Sequence, residues 1–471
     1  MSPTHPARMF DPLMHDERID TLLSDAGYVR AMLAFEAALA RAEATAGVIP
    51  AEAAEAINAA VKTVHGQELD DMATTIADST ALVGSPVIPL VKLLTGRTGP
   101  VGQPFVHWGA TTQDVMDTAL VLQLRDVCAL LDQGLGRLAK ALATLASRHR
   151  DTPMVARTVM QHALPTTFGL KAAGWLGAVT RHRIRLGEIG PRLITLQFGG
   201  AAGTLASLGD RGAEVSANLA RELSLTNPAM PWHTARDRIG EIAAFCGLLC
   251  GTLGKIGRDV VLMMQTDVQE AFEPPAPGRG GSSTMPHKRN PVLAAVMVGA
   301  GTSAPGLVAT MLSAQMHEHE RAAGSGHAEW RTLPDLLRLA GGALKAAISL
   351  AEGLQIDAAR MRQNLEATNG LILAEAVMMA LAAFIGRLEA HHLVEAACKR
   401  AIAGQLHLRD VLAKDPAVTA HLGGDALARL FEPESYLGSA GHFVDAALSA
   451  HGKLPDTIEA FRPAPGNGNH P

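Results

Sequence analysis

From Val292 to Met316 the chain runs without a single charged side chain. A stretch of that length can cross a bilayer, or it can form the centre of a large helical bundle, apolar on every side. Its interior and its borders decide between the two. Gly299, Gly301, Ser303, Pro305 and Gly306 interrupt it, and His287-Lys288-Arg289-Asn290 and His317-Glu318-His319-Glu320-Arg321 flank it. Such polar clusters read as site residues and not as membrane anchors. A buried helix and no membrane partner are expected. With 471 residues the chain can wrap that helix in two or three domains around a large shared core.

The rest of the pattern is helical. Tyr28, Met32, Phe35 and Leu39 recur at spacings of four, three and four, and Gly47 and Pro50 then stop the run. Ala119–Ala146 repeats the period over a longer span, through Leu120, Leu124, Val127, Leu130 and Leu131. Aromatic residues make up only 4%, which disfavours a sheet-rich fold. No convincing strand alternation and no internal repeat at a fixed period are visible. Breaks fall at 95–103, 227–232, 273–291, 324–326 and 432–441. Soft divisions follow at 1–115, 116–367 and 368–471, and an all-α bundle protein is expected.

Several classes drop out. The net charge is −5 with the signs mixed, so no basic face for nucleic acid is expected. Cys128, Cys246, Cys250 and Cys398 are too few for a disulfide scaffold. Cys246 and Cys250 lack further ligands at metal spacing, so they read as small buried hydrophobes and no metal is expected. Met1–Pro12 holds no apolar stretch of the secretory kind, which points to a cytoplasmic protein. The tail, Arg462–Pro471, reads as disordered.

The most informative segment is Pro274–Pro291, PPAPGRGGSSTMPHKRNP. Gly278, Gly280 and Gly281 give it backbone freedom and the prolines stiffen its ends, the composition of a hinged lid. It carries the hydroxyls of Ser282 and Ser283, the cation of Lys288 and the amide of Asn290. A lid of this kind can bring a hydroxyl and a positive charge to a bound anion while excluding water. Taken alone, it could equally be a surface loop.

GSSTMPHKRNP resembles the G-S-S-x-x-P-x-K-x-N signature of the fumarase/aspartase superfamily. The resemblance implies that Ser282 is the base acting on a carbon-bound proton beside a carboxylate, and that Lys288 and Asn290 contact substrate carboxylate. FVHWGATTQDVMDTA at 105–119 is similar to the second region of that superfamily. It implies carboxylate donors at Thr111 and Thr112, an active-site role for His107, and a bracing role for Asp114. RTVMQHALPTTFGLK at 157–171 is similar to an adenylosuccinate lyase pattern and brings Gln161 and His162 to the pocket. ERAAGSGHAEWRTLPD at 320–335 implies a carboxylate-binding Arg321, with His327 and Glu329 lining the site. QFGGAAGTLA at 197–206, QTDVQEAFEP at 265–274 and YLGSA at 436–440 extend the likeness over nearly the whole chain.

The superfamily differs in the group expelled. Amine-expelling members carry a histidine after R-T, where this chain has Val159, and a second near 78–85, where no histidine lies between His65 and His107. Valine cannot protonate a leaving nitrogen. A leaving carboxylate, with a pKa of about 4, needs no proton. FDPL at 10–13, IPLVKLL at 88–94 and HAEWRTLPD at 327–335 resemble the 3-carboxy-cis,cis-muconate cycloisomerases, which also carry an apolar residue there. That family implies three helical domains around a central antiparallel bundle. It further implies a homotetramer with shared sites, a small tricarboxylate substrate and no cofactor. Ser325-Gly326 departs from the bulkier, often aromatic residue of the family and bears on pocket size. The rival expectations are a carbon–nitrogen lyase releasing fumarate, a cycloisomerase of a sulfonated muconate, and a non-enzymatic relative of the lens-crystallin kind.

Overall fold

The computed structural model describes residues 9–461. The tail expected to be disordered lies outside them, as do residues 1–8. Helix α1, Asp25–Thr45, starts where the Ser24 hydroxyl accepts from Gly27 N at 3.0 Å. Its buried face carries Met32, Phe35 and Leu39, the period read in the sequence. Helix α2, Thr112–Arg148, is 37 residues long, and its stripe of Leu124, Val127, Leu131, Leu135 and Leu138 is fully buried. Helices α3 (Phe168–Leu193), α4 (Asp237–Met264), α5 (Val292–Ser313) and α6 (Ser325–Gly353) complete a bundle.

Neighbouring helices run in opposite directions. Gly169 N donates to His149 O at 2.8 Å, tying the end of α2 to the start of α3. Thr118 Oγ1 donates to Gln197 O at 2.8 Å, tying the start of α2 to the chain just beyond α3. Helices α4 and α5 meet through glycine. A Cβ on Gly254 would lie 3.1 Å from Gly301 Cα, and one on Gly257 would lie 2.7 Å from Ala294 O. Backbones approach this closely only where side chains are missing.

The chain is not purely helical. Strands β1 (Pro153–Thr158) and β2 (Gln161–Thr167) pair antiparallel, and β3 (Ala271–Phe272) pairs with β4 (Gln355–Ile356). Sequence periodicity gave no sign of either pair. The first hairpin turns through Val159 and Met160 at φ 50° and 64°, without the Asn-Gly or Asp-Gly that usually marks such a turn. The second pair is too short to alternate.

Helix α5 also departs from expectation. Only 28% of its most apolar window is buried, against 56% for α4; both are long and apolar enough to cross a membrane. One flank of α5 packs on α4 and α6. The other faces an open groove of about 1140 Å³ walled by Leu170, Trp175, Leu248, Val308 and Leu312. Beyond the bundle, helices α7 (Ala374–Ile385) and α8 (Arg387–Gly404) build a second core from Val377, Leu381 and Val394, joined by Leu408 of the chain that follows and by Val155 of β1. Cys246 and Cys250 are buried free thiols, as expected of small hydrophobes.

Candidate active site

The N-terminus of α2 is held by one carboxylate. Asp114 is fully buried and accepts from Thr111 N at 3.0 Å, Gln197 Nε2 at 3.0 Å, Gly199 N at 2.9 Å and Gly200 N at 2.9 Å. His233 Nε2 stands 2.8 Å from it. A single side chain thus pins two glycine-containing turns to the positive end of a long helix dipole. This is the bracing role expected of Asp114.

Arg321 reaches this place from the far side of the sequence. Its guanidinium donates to Gln113 Oε1, Thr111 Oγ1 and Ala201 O, each at 3.2 Å. A cation, a hydroxyl and the helix start with its half-buried Thr112 therefore meet in one small region, which suits a carboxylate. His107 lies four residues before Thr111, and its Nδ1 is 2.7 Å from Glu36 Oε1. Burial alone would lower the His107 pKa; the Glu36 carboxylate, helped by Asp114, outweighs burial and raises it.

Two residues expected beside Arg321 are placed differently. Glu329 is 3% exposed and is taken up by Arg236, whose Nε donates to it at 3.1 Å while Nη1 donates to Asp117 at 2.7 Å. It belongs to a buried ion network below the site and not to its lining. His327 is exposed and packs on Trp330, with ring centroids 4.2 Å apart.

The lid sits elsewhere. Asn290 N donates to Gly280 O at 2.9 Å, closing the segment into a loop. Arg289 anchors it below, donating to Glu273 O at 3.1 Å and stacking over Phe272. The Glu273 carboxylate accepts from Ala294 N at 2.7 Å and Leu293 N at 3.1 Å, capping α5. Inside the loop, Ser282 Oγ accepts from Met285 N at 3.0 Å and Thr284 N at 3.3 Å. Ser283 Oγ is 3.4 Å from Thr284 Oγ1, and Lys288 is exposed. Two N–H groups aimed at one hydroxyl oxygen form a nest that favours negative charge on it.

Gln161 and His162 are exposed beside the hairpin tip. Burial and the nearby Arg157 hold the His162 pKa below the usual range. Arg157 itself is bound by the fully buried Glu270, at 2.8 and 2.7 Å, just ahead of the lid.

These groups occupy two ends of the bundle. Thr111, Thr112, His107 and Arg321 lie at one, with His327 exposed on the start of α6 at the same end. Gln161, His162, Ser282, Ser283, Lys288 and Asn290 gather at the other. The 22 residues of α5 separate the lid from the Arg321 end by about 33 Å at 1.5 Å per residue. The 37 residues of α2 separate Thr111 from the hairpin by about 55 Å. No small substrate touches both ends of one chain. The large groove along α3, α4 and α5 is apolar and holds neither set.

The partner Glu36 was not picked out from the sequence, nor were Gln113 and Ala201 as contacts of Arg321. Glu36 had a readable signal: it follows Phe35 at a core-facing phase of α1, where a carboxylate must have a partner.

Comparison with known proteins bears directly on this arrangement. Residues 13–306 match the family model described as lyase, and residues 370–447 match the one described as adenylosuccinate lyase C-terminus. A 3-carboxy-cis,cis-muconate cycloisomerase of Pseudomonas aeruginosa is 53% identical over 99% of this chain and 100% of its own. The chain belongs to this cycloisomerase family of lyases. A cycloisomerase of Bradyrhizobium diazoefficiens is also 53% identical, over 93% of this chain and 97% of its own. The crystal structure of the 3-carboxy-cis,cis-muconate lactonizing enzyme from Pseudomonas putida superposes with a TM-score of 0.89 at 50% identity, covering 95% of this chain and 99% of that one. Within this family the all-helical bundle and an enzymatic role are both accounted for.

Proposed function

We propose that the chain catalyses the reversible lactonisation of 3-carboxy-cis,cis-muconate to 4-carboxymuconolactone, a step of protocatechuate breakdown. The observation that carries the reading is the 53% identity to a cycloisomerase over 99% of the chain. The lid chemistry supports it. In the lactone-forming direction a substrate carboxylate oxygen adds to the carbon–carbon double bond, and the adjacent carbon takes a proton. Ser282 is the proposed proton donor. In reverse it removes that proton, and the Thr284 and Met285 N–H groups receive the charge left on its oxygen. Lys288, Asn290 and Ser283 meet the developing enediolate. Arg321, Thr111, Thr112 and His107 bind the remaining carboxylates, and Gln161, His162 and His327 line the pocket.

Val159 fits a leaving carboxylate. It stands at the hairpin tip, 95% exposed, where an amine-expelling enzyme needs an acid. A carboxylate departs without one. No step in this scheme calls on a metal or an organic cofactor.

Because the two groups of side chains lie at opposite ends of one chain, the proposal includes a cytoplasmic homotetramer with each site built from several chains. The open groove beside α5 supports that assembly, since it offers apolar surface for helices of other copies. The division at 1–115, 116–367 and 368–471 belongs to the same reading.

The deciding test follows loss of 3-carboxymuconate in the ultraviolet and identifies the lactone by NMR. Inactivity on muconates, coupled with fumarate release from a succinyl adduct, would replace this reading with the carbon–nitrogen lyase.

A further inference from the structure

We propose that Glu36 is a positioning residue for the reaction: through Nδ1 it fixes the ring of His107 and keeps it doubly protonated, so that Nε2–H is presented as a donor to a substrate carboxylate. The proposal rests on the functional reading above. Its geometry is independent of that reading. Glu36 is 2% exposed, on the buried face of α1, and its Oε1 lies 2.7 Å from His107 Nδ1. Among the described residues Nε2 of His107 makes no hydrogen bond. The backbone of His107 is held at φ 60°, in the left-handed region, which costs about 1 kcal/mol. A chain keeps such a conformation where its surroundings compensate. The short chain from His107 to Thr111 then leads directly to the hydroxyl that accepts from Arg321.

The charge state matters because a neutral imidazole bonded through Nδ1–H would expose a lone pair at Nε2 and repel a carboxylate. The groups facing the ring are Glu36 on α1 and Asp114 on α2. Asp114 has its own partner in His233, whereas Glu36 has His107. Burial and the Glu36 charge push Glu43, farther along α1, up to about 9, so at neutral pH it is largely protonated and adds little competing charge. Burial works against protonating His107, and the Glu36 carboxylate outweighs it.

The sign of the pH effect follows. His107 keeps its proton up to a pH above its ordinary range, so substrate affinity is retained there and lost as pH rises through the raised pKa. In Glu36→Gln the loss begins at lower pH. The test compares kcat and KM for 3-carboxymuconate between pH 5.5 and 9 in wild type, Glu36→Gln, His107→Gln and the double variant, with binding of tricarballylate followed by calorimetry. Loss of a charge-assisted bond should raise KM about ten- to a hundredfold in Glu36→Gln at neutral pH, with kcat changed far less. The alkaline limb of the KM profile should shift to lower pH, and Glu36→Asp should restore part of both. The double variant should be no worse than His107→Gln. Unchanged KM and pH profile in Glu36→Gln, or losses that multiply in the double variant, overturn the proposal. If Glu36→Gln does not fold, a KM profile for Glu36→Asp that shows no shift has the same force. If wild type ignores muconate but binds tricarballylate in a Glu36-dependent way, the functional reading fails and the positioning role stands.

Discussion

Two carboxyl groups about two turns apart on α1 have opposite fates. Glu36 has the ring of His107 2.7 Å away, whereas both oxygens of fully buried Glu43 lack any hydrogen-bond partner. Burial, with the Glu36 charge adding to it, pushes Glu43 up to about 9 from an ordinary 4.5. Above pH 4.5 the unfolded chain releases that proton while the folded chain keeps it, so stability falls as pH rises toward 9. Glu43→Gln should therefore stabilise the fold at pH 7, by up to roughly 3 kcal/mol, and so raise the thermal midpoint there while leaving it unchanged near pH 4.5, as calorimetry at the two pH values would show. At the lid, Ser282→Ala should lower turnover by orders of magnitude with an unaltered helical circular dichroism spectrum. Ser282 and Lys288 stood out in the sequence because eleven consecutive residues carry the motif, and the structure places both on one loop. The meeting of Arg321 with Thr111 was not, because it joins positions far apart in the chain. Glu329 misled for the same reason: its motif named it, but its partner Arg236 lies on another element.

At the scale of elements, the long helices were legible because their apolar period persists over many turns. The hairpin was not, since a β-branched Val159 at φ 50° contradicts local preference. Val159→His should not speed cycloisomerisation, since no proton is wanted there; a clear gain in kcat would undo the leaving-group argument. The lid depends on Gly280, which sits at φ 69° and whose Cβ would lie 2.6 Å from Asn290 O. Gly280→Ala should break the closure at Asn290 N and lower kcat at least about tenfold, with thermal stability nearly unchanged, because the loop is exposed.

For the whole molecule, the separation of the two side-chain groups makes a specific prediction. Ser282→Ala and Arg321→Ala should each be inactive alone. Unfolded together and refolded as a mixture, they should regain activity, because some sites then take Ser282 from one chain and Arg321 from another. Absence of recovery, with mixed assemblies demonstrated by native mass spectrometry, would place both groups in one chain's site. Sequence periodicity could not show this division, because helix length becomes a distance only when the order of the helices in space is known. The open flank of α5 has a consequence for dosage. In the proposed tetramer a newly made copy carries a greasy side that its siblings cover, so output at low expression should grow more steeply than the number of copies, and a cell making very little of it should gain disproportionately little.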